Sequence, residues 1–334
     1  VCSSDLDAAQ KDRDVKDRKK YFFDQNCIFT SLYRPFYKQV SYFNRDLNNR
    51  VYQLPKIFPH PELDNLVICV SGVGDANFSC LISNHLVDLH LNGTCQCFPL
   101  YYFEKSSVQS EMFNNYETLE RQYIRKDGIT DWFSGEIKKR FNLKKTNKKQ
   151  IFYYIYGLLH SKTYRKHYAQ ELKKSLPRIP IVDKFEDYIA FAEAGKRLAD
   201  LHINYGGRKA PSDIKVTMTG LPSSDDDYEF YKVIKMKYPK KGETDRIIYN
   251  SHIIVENIPP KAYEYVLNGK SAIEWIMERY QITQNKESLI INDPNDWSKE
   301  HNSPRYILDL LLSIVAVSIE TVDIVNNLPQ LKLS

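Results

Sequence analysis

The sequence predicts an α+β fold, with a mixed N-terminal section, two long central helices, a small antiparallel sheet and a helical C-terminal part. Three patterns carry the prediction. Apolar residues recur at three- and four-residue spacing over 150–174 and again over 184–204, the mark of a buried helix face. Between 213 and 256, β-branched and aromatic residues partly alternate with polar ones and are bounded by turn residues. From Tyr306 to Val325 a long apolar stretch is interrupted by Asp309, Glu320 and Asp323, which suits a buried helix and not a membrane span.

In chain order, Val1-Cys-Ser-Ser-Asp-Leu6 spells one reading frame of a common sequencing adapter and is set aside as adapter-derived. With it, 1–20 reads as a terminal segment plus charged linker, since acids and bases alternate densely from Asp7 to Lys20. The mixed α/β part covers 21–149, where short apolar runs alternate with Pro, Gly and Asn. Asn65 to Ser71 reads there as a buried strand ended by Gly72-Val-Gly74-Asp75. The helical and small-sheet part covers 150–334. Its first helix carries Ile151, Ile155, Leu158, Leu159, Tyr164, Tyr168 and Leu172 on one face, and Pro177-Arg-Ile-Pro180 stops it. Phe185, Tyr188, Ala192, Gly195, Leu198, Ala199 and His202 repeat the pattern in the second, which ends at Gly206-Gly207.

Three strands are expected at 213–219, 229–238 and 246–256, with Asp225-Asp-Asp227 and Pro239-Lys-Lys-Gly242 as turns. Ser271-Ala-Ile-Glu274 is a capping-box signature opening a helix. Ser303-Pro304 opens the last one, with proline at its tolerated first position, and this helix runs to about Asn326.

Composition narrows the function classes. With 47 basic and 42 acidic residues the formal net charge is +5, mildly basic and short of what announces nucleic acid alone. The 24 Tyr offer apolar rings with polar tips, which suits wet binding surfaces. Six Cys spread over the first third suit reduced thiols in a cytoplasm better than a disulfide framework.

The segments that invite chemistry fall short of an active site. Gly72-Val-Gly74 has Asn77 where a nucleotide loop would place its third glycine, so it reads as a turn. His85, His90, Cys95 and Cys97 lie close in sequence, but Cys-x-Cys without a second matched pair is poor spacing for a tetrahedral zinc site, and no metal is expected. Asp225-Asp-Asp227 reads as a solvated loop. His160, His167 and His202 sit on helix faces as packing residues, with no nucleophile fixed beside them. Ile258-Pro-Pro-Lys261 and Asp293-Pro-Asn295 contain only pieces of the tetrapeptide with which an adenine methyltransferase grips a flipped base. No catalytic residue is assigned.

Two basic segments remain. Lys138, Lys139, Arg140, Lys144, Lys145, Lys148 and Lys149 form one; Lys235, Lys237, Lys240 and Lys241 are the centre of the other, flanked by Lys232 and Arg246. Such cations can neutralise phosphates, whereas reading bases needs Arg, Asn, Gln or Tyr held at a groove edge. Tyr249 and Asn250, between the basic turn and the next strand, are the candidate readers.

A family resemblance covers residues 21 to about 330. Tyr33-Arg-Pro-Phe36, Asn65-Leu-Val-Ile68, Cys97-Phe-Pro-Leu-Tyr101, Ile151-Phe-Tyr-Tyr-Ile-Tyr156, Leu159-His-Ser161, Leu176-Pro-Arg-Ile-Pro180 and Leu198-Ala-Asp-Leu-His202 carry its first half. Tyr263-Glu-Tyr265, Ser271-Ala-Ile-Glu-Trp275, Asn292-Asp-Pro-Asn-Asp296 and Pro304-Arg-Tyr306 carry the second. In this order the blocks resemble the region following the methyltransferase domain in type ISP restriction–modification enzymes. That family joins a nuclease, a helicase-type motor, an adenine-N6 methyltransferase and a C-terminal specificity domain in one polypeptide.

The resemblance implies a piece made of the specificity domain, lacking the nuclease, the helicase and most or all of the methyltransferase. Its partners would be double-stranded DNA and the methyltransferase domain of the same parent polypeptide. This chain would carry no cofactor; S-adenosylmethionine, ATP and Mg2+ would belong to the parent. Two departures, Tyr37 where the family usually has Asp and Gly206-Gly207 in place of a more acidic helix end, bear on specificity and not on membership. Two other functions stay open: a catalytically active adenine-specific methyltransferase fragment, and a protein-interaction module of a phage-defence complex.

Overall fold

Short strands build the N-terminal section of the protein, whose computed structural model describes residues 16–48, 51–106, 119–222 and 227–331. The adapter-like start, most of the charged linker and most of the Asp225–Asp227 turn lie outside these residues. In order the strands are β1 (Ile28–Arg34), β2 (Tyr37–Tyr42), β3 (Val67–Val70), β4 (Cys80–Ser83), β5 (Leu86–Val87) and β6 (Gln96–Pro99). They form two three-stranded sheets, β2–β1–β5 and β4–β3–β6, in which only the β1–β5 pair is parallel. The expected strand around Val67 is thus a central one, buried at every position, as its unbroken apolar run requires. The turn between β1 and β2 places Phe36 at φ 60°, an uncommon conformation for a bulky residue. Packing over-determines it: the ring is fully buried edge-on against Tyr205 and Tyr265. A third unit, the hairpin β7 (Tyr101–Lys105) and β8 (Tyr123–Asp127), leads into the helices.

Helix α1 (Asp131–Arg140) is followed by α2 (Lys148–His160), α3 (Lys162–His167) and α4 (Phe185–Ile203). The predicted single helix over 150–174 is therefore two helices. Ser161 breaks it: in extended conformation, it ends α2 and accepts the Tyr164 N–H with its hydroxyl, starting α3. Beyond His167 the chain continues in turns that still bury Leu172. The second predicted helix is found as α4, and α2 and α4 make the most extensive helix contact among the described residues. Glycine permits their close approach: a Cβ on Gly157 would overlap the Phe191 carbonyl oxygen, and one on Gly195 the Tyr153 carbonyl oxygen.

The β section differs from expectation in its middle. β9 (Lys215–Met218) pairs with β11 (Ile253–Glu256), which pairs with β10 (Ile247–Ile248), all antiparallel. Residues 229–238, expected as a strand, instead begin with the short helix α5 (Tyr228–Tyr231) and touch the sheet through one bridge, Lys237 to Ile248. Side chains have taken over the backbone partners of this segment. Asp227 caps α5 by accepting the Phe230 N–H at 3.0 Å. Asn295 accepts the Val233 N–H at 2.9 Å and donates to the Val233 carbonyl at 2.8 Å. A strand ladder is unnecessary once those groups are satisfied.

The C-terminal part holds the hairpin β12 (Val266–Leu267) and β13 (Lys270–Ser271), then α6 (Ala272–Arg279), the hairpin β14 (Thr283–Gln284) and β15 (Ile291–Asn292), α7 (Asn295–Glu300) and α8 (Tyr306–Asn326). The capping box is present at α6, where Ser271 accepts the Glu274 N–H and the Glu274 carboxylate accepts the Ser271 N–H. Pro304 stands two residues ahead of α8, in the turn that delivers it, rather than at its first position. α8 packs on α4 and α6 with residues from Ile307 to Ile324 buried, and no described helix is long and apolar enough to cross a membrane. One continuous hydrophobic cluster runs from Phe29 to Leu331, across residue 150, so the two parts share a core in this α+β fold.

Candidate nucleic-acid interface

The first basic segment spans the end of α1 and the start of α2. Thr130 caps α1, accepting the Phe133 N–H, and puts Lys138, Lys139 and Arg140 in its last turn, where cations complement the helix dipole. Asn147 caps α2 and places Lys148 and Lys149 at its first positions, where no dipole argument favours them. Carboxylates restrain several of these cations. Lys139 meets Glu136 at 2.9 Å, Arg140 meets Asp183, and Lys148 lies 2.7 Å from Asp131 and 3.1 Å from Asp127. Lys138, Lys144, Lys145 and Lys149 are exposed and have no ion pair among the described residues.

The second segment is more open. Lys235 and Lys237 point outward on either side of buried Met236, and the Lys237 backbone exchanges hydrogen bonds with Ile248 at 3.1 and 2.9 Å. Lys240 and Lys241 occupy a turn closed by the Glu243 N–H donating to the Lys240 carbonyl, with Gly242 at φ 89°. None of these four lysines has an ion pair among the described residues. The flanking cations are engaged: Lys232 with Glu229 and Arg246 with Glu256.

The two candidate base readers are structural residues as the protein stands. Tyr249 is fully buried and its hydroxyl donates to the Tyr231 carbonyl at 2.8 Å, while burial pushes its pKa well up. Asn250 donates both amide hydrogens, to the Phe230 and Lys232 carbonyls at 2.9 and 3.1 Å. Its oxygen accepts the His252 and Ile253 N–H groups at 2.8 and 2.9 Å. With all its capacity used, Asn250 has nothing left for a base edge. Sequence placed both residues next to the basic turn correctly, but strand alternation turns Tyr249 inward.

A feature the sequence did not announce adjoins the lysines. The β14–β15 hairpin is fastened at its root by the Ile282 N–H donating to the Ile234 carbonyl at 2.9 Å, one residue before Lys235. Its Leu289, Ile290 and Ile291 are 67%, 68% and 62% exposed, and Ile234 is also 67% exposed. Lys286 lies at its exposed tip. The only signal in the sequence is a polar run, Thr283 to Ser288, followed by an apolar triplet.

The histidines divide. His160 and His202 are buried packing residues, as expected, whereas His167 is exposed and rests edge-on against Tyr168. Cys80 lies 3.5 Å from His160 Nδ1, but burial raises its thiol pKa and both side chains are buried. His85 and His90 join no metal-ligand group among the described residues. Cys95 and Cys97 do, with Cys69 as the third member. The Gly72–Asp75 segment is a turn, with the Asp75 carboxylate accepting the Gly72 and Thr94 N–H groups, both at 3.0 Å.

A family model described as the Type ISP C-terminal specificity domain matches residues 4–310. The chain is similar to the ATP-dependent Type ISP restriction-modification enzyme LlaBIII bound to DNA, at 35% identity and TM-score 0.83, covering 97% of this chain and 20% of that one. It is similar to a nuclease-deletion mutant of the Type ISP enzyme LlaGI in complex with a DNA substrate mimic, at 38% identity and TM-score 0.78, covering 96% and 26%. A DrdV–DNA complex matches at 30% identity and TM-score 0.78, covering 97% and 30%. No curated protein matches. The chain thus spans between a fifth and a third of the length of the solved proteins it resembles. It belongs to the Type ISP C-terminal specificity domain family.

Proposed function

We propose that this chain recognises a double-stranded DNA target on behalf of a restriction–modification enzyme, with Lys235, Lys237, Lys240 and Lys241 contacting phosphates beside the β14–β15 hairpin. The observation that carries the reading is a run of exposed lysines without carboxylate partners among the described residues, in a family whose solved relatives are described as DNA complexes. Cations already paired to carboxylates would have to break those contacts first, so unpaired ones are the better phosphate ligands. Phosphate contacts fix the register on the duplex, and side chains at base edges choose the sequence. The exposed hairpin, fastened to Ile234 beside Lys235, is the element we assign to a groove.

A neighbouring adenine-N6 methyltransferase domain would then flip one adenine of the clamped site. S-adenosylmethionine, ATP and Mg2+ would act in that larger enzyme. The purified chain is expected to bind duplex DNA with an affinity that falls steeply with salt, at about 0.9 in the log–log slope per phosphate neutralised. Fluorescence anisotropy with labelled duplex across a salt series measures this. Binding that is absent at low salt, or indifferent to salt, would overturn the reading.

A further inference from the structure

We propose that Cys69, Cys95 and Cys97 form a three-thiolate site for a thiophilic divalent cation, Zn2+, with water in the fourth position. Their ligand atoms all lie within 4.8 Å of one another. The Cys97 sulfur is 4.0 Å from that of Cys69 and 3.8 Å from that of Cys95. Tetrahedral zinc with Zn–S bonds of about 2.3 Å holds its sulfurs about 3.8 Å apart. A disulfide would need about 2.05 Å. Two of the three separations therefore already stand near the spacing of a metal's ligands, the third lies within 4.8 Å, and the two measured separations are far from that of a bond.

The fold imposes this spacing. Cys69 and Cys97 are register partners in the β3–β6 ladder, so their side chains leave the sheet on the same face. Cys95 is two residues before Cys97 and follows it onto that face. Its position is fixed from the other side, where Asp75 binds the Thr94 N–H at 3.0 Å and the Thr94 hydroxyl at 3.1 Å, and the Cys95 N–H donates to the Leu89 carbonyl at 2.7 Å. Glycine makes that clamp possible: a Cβ on Gly72 would overlap Thr94, and one on Gly93 would overlap Asp75. Cys69 and Cys95 are buried and Cys97 is partly buried, so Cys97 is the member of the triad nearest to solvent. A water on that side would supply the fourth ligand, the arrangement of three protein ligands plus solvent that zinc adopts outside closed structural sites. Each thiol that joins the ion gives up its proton to solvent. Thiolate ligands select soft ions over Mg2+ or Ca2+. The ion would tie the central strand β3 to β6 and to the loop entering it.

The test uses the full chain, purified under reducing conditions from zinc-supplemented cells and analysed for metal. One zinc per chain is expected, released to a chromogenic chelator when a mercurial titrates the thiols. Co2+ in its place is expected to give a thiolate-to-metal charge-transfer band. Cys97→Ser, at the half-buried position, should abolish both signals while its circular dichroism stays that of the parent. Cys27→Ser, outside the triad, should keep them. If Cys97→Ser fails to fold, the mercurial release from the unmodified chain still decides the matter. A correctly folded, reduced chain that holds no zinc and develops no cobalt band would overturn the proposal. So would a zinc content that Cys97→Ser leaves unchanged.

Discussion

The Tyr156 hydroxyl lies 2.6 Å from Nδ1 of His202, while Nε2 of the same ring lies 2.9 Å from the Thr321 hydroxyl. Three elements, α2, α4 and α8, thus meet at one imidazole, which also stacks on Tyr265 with ring centroids 5.0 Å apart. A neutral ring serves this arrangement, with one nitrogen accepting and the other donating. Burial, reinforced by the Arg165 charge, brings the His202 pKa down from 6.5 to about 3. His160, 5.5 Å away between ring centroids, is held well below its ordinary value by burial, then by Arg165 and His202.

Stability against pH follows. Below pH 6.5 the unfolded chain takes up protons at these histidines while the folded chain keeps both rings neutral, His202 until the pH nears 3. The folded state is therefore fully favoured above pH 6.5 and loses stability as the pH falls below it, at up to about 1.36 kcal/mol per pH unit for each histidine kept neutral, down to about pH 3 for His202. Urea denaturation at intervals from pH 7.5 to about 5, above the range where carboxylates titrate, measures it. His202→Gln should lower stability at pH 7.5 and make the slope shallower. A flat profile in the unmodified protein would show that these rings are not kept neutral by the fold.

The α2–α4 crossing predicts a second outcome. A methyl group on Gly195 meets the Tyr153 carbonyl and the Gly157 backbone, neither of which can rotate away as a side chain could. Gly195→Ala should cost about 1–3 kcal/mol, the range for overpacking a filled interior. Gly206→Ala, where a Cβ meets nothing within 4 Å, is the comparison and should be neutral or slightly stabilising. Chemical denaturation of both variants checks this. Equal effects at the two sites would mean that the helices separate freely.

Asn250 supplies a third. Because its amide ties Phe230, Lys232, His252 and Ile253 together, Asn250→Ala leaves several backbone groups without partners. These contacts are part-buried or exposed, so water replaces some of them, and a loss of about 1–3 kcal/mol of stability in total is expected. Relative affinity for cognate and altered duplexes should not change in the variant that remains folded. A base-specific loss of discrimination, measured by competition binding, would instead return Asn250 to the reading surface.

How far the sequence alone reaches can be judged from particular residues. The capping box at Ser271, the central strand around Val67 and the span of α4 are local, set by side chains within a few positions, and each is present in the fold. What stayed hidden depends on distant partners. Residues 229–238 carry a strand pattern, yet Asn295, sixty-two positions from Val233, takes over the Val233 backbone groups. The Cys69 thiol joins Cys95 and Cys97 only through a ladder register, so the spacing of His85, His90, Cys95 and Cys97, read as poor for zinc, could not show the three-thiol group. The basic residues were legible as runs; which of them are restrained by Glu136, Asp183, Asp127 and Asp131 was not.

That distinction between paired and unpaired lysines gives the last prediction. If phosphates are bound at the second segment, changing Lys235, Lys237, Lys240 and Lys241 to Ala weakens binding to all duplexes alike. It also flattens the salt slope by up to about 3.6, at about 0.9 for each phosphate that is no longer neutralised. The matched variant in the first segment replaces Lys138, Lys144, Lys145 and Lys149, which are also exposed and unpaired among the described residues. It removes the same formal charge, so a general weakening of long-range attraction would affect both variants equally. Direct phosphate binding affects one far more than the other. All eight side chains are exposed, so neither variant should alter the unfolding free energy by more than about 0.5 kcal/mol per substitution, the range for surface positions. Anisotropy titrations of the two variants from low to high salt decide between the segments. Retention of the parent slope when the Lys235–Lys241 group is removed, with a flattened slope in the other variant, would move the DNA to the α1–α2 side of the protein.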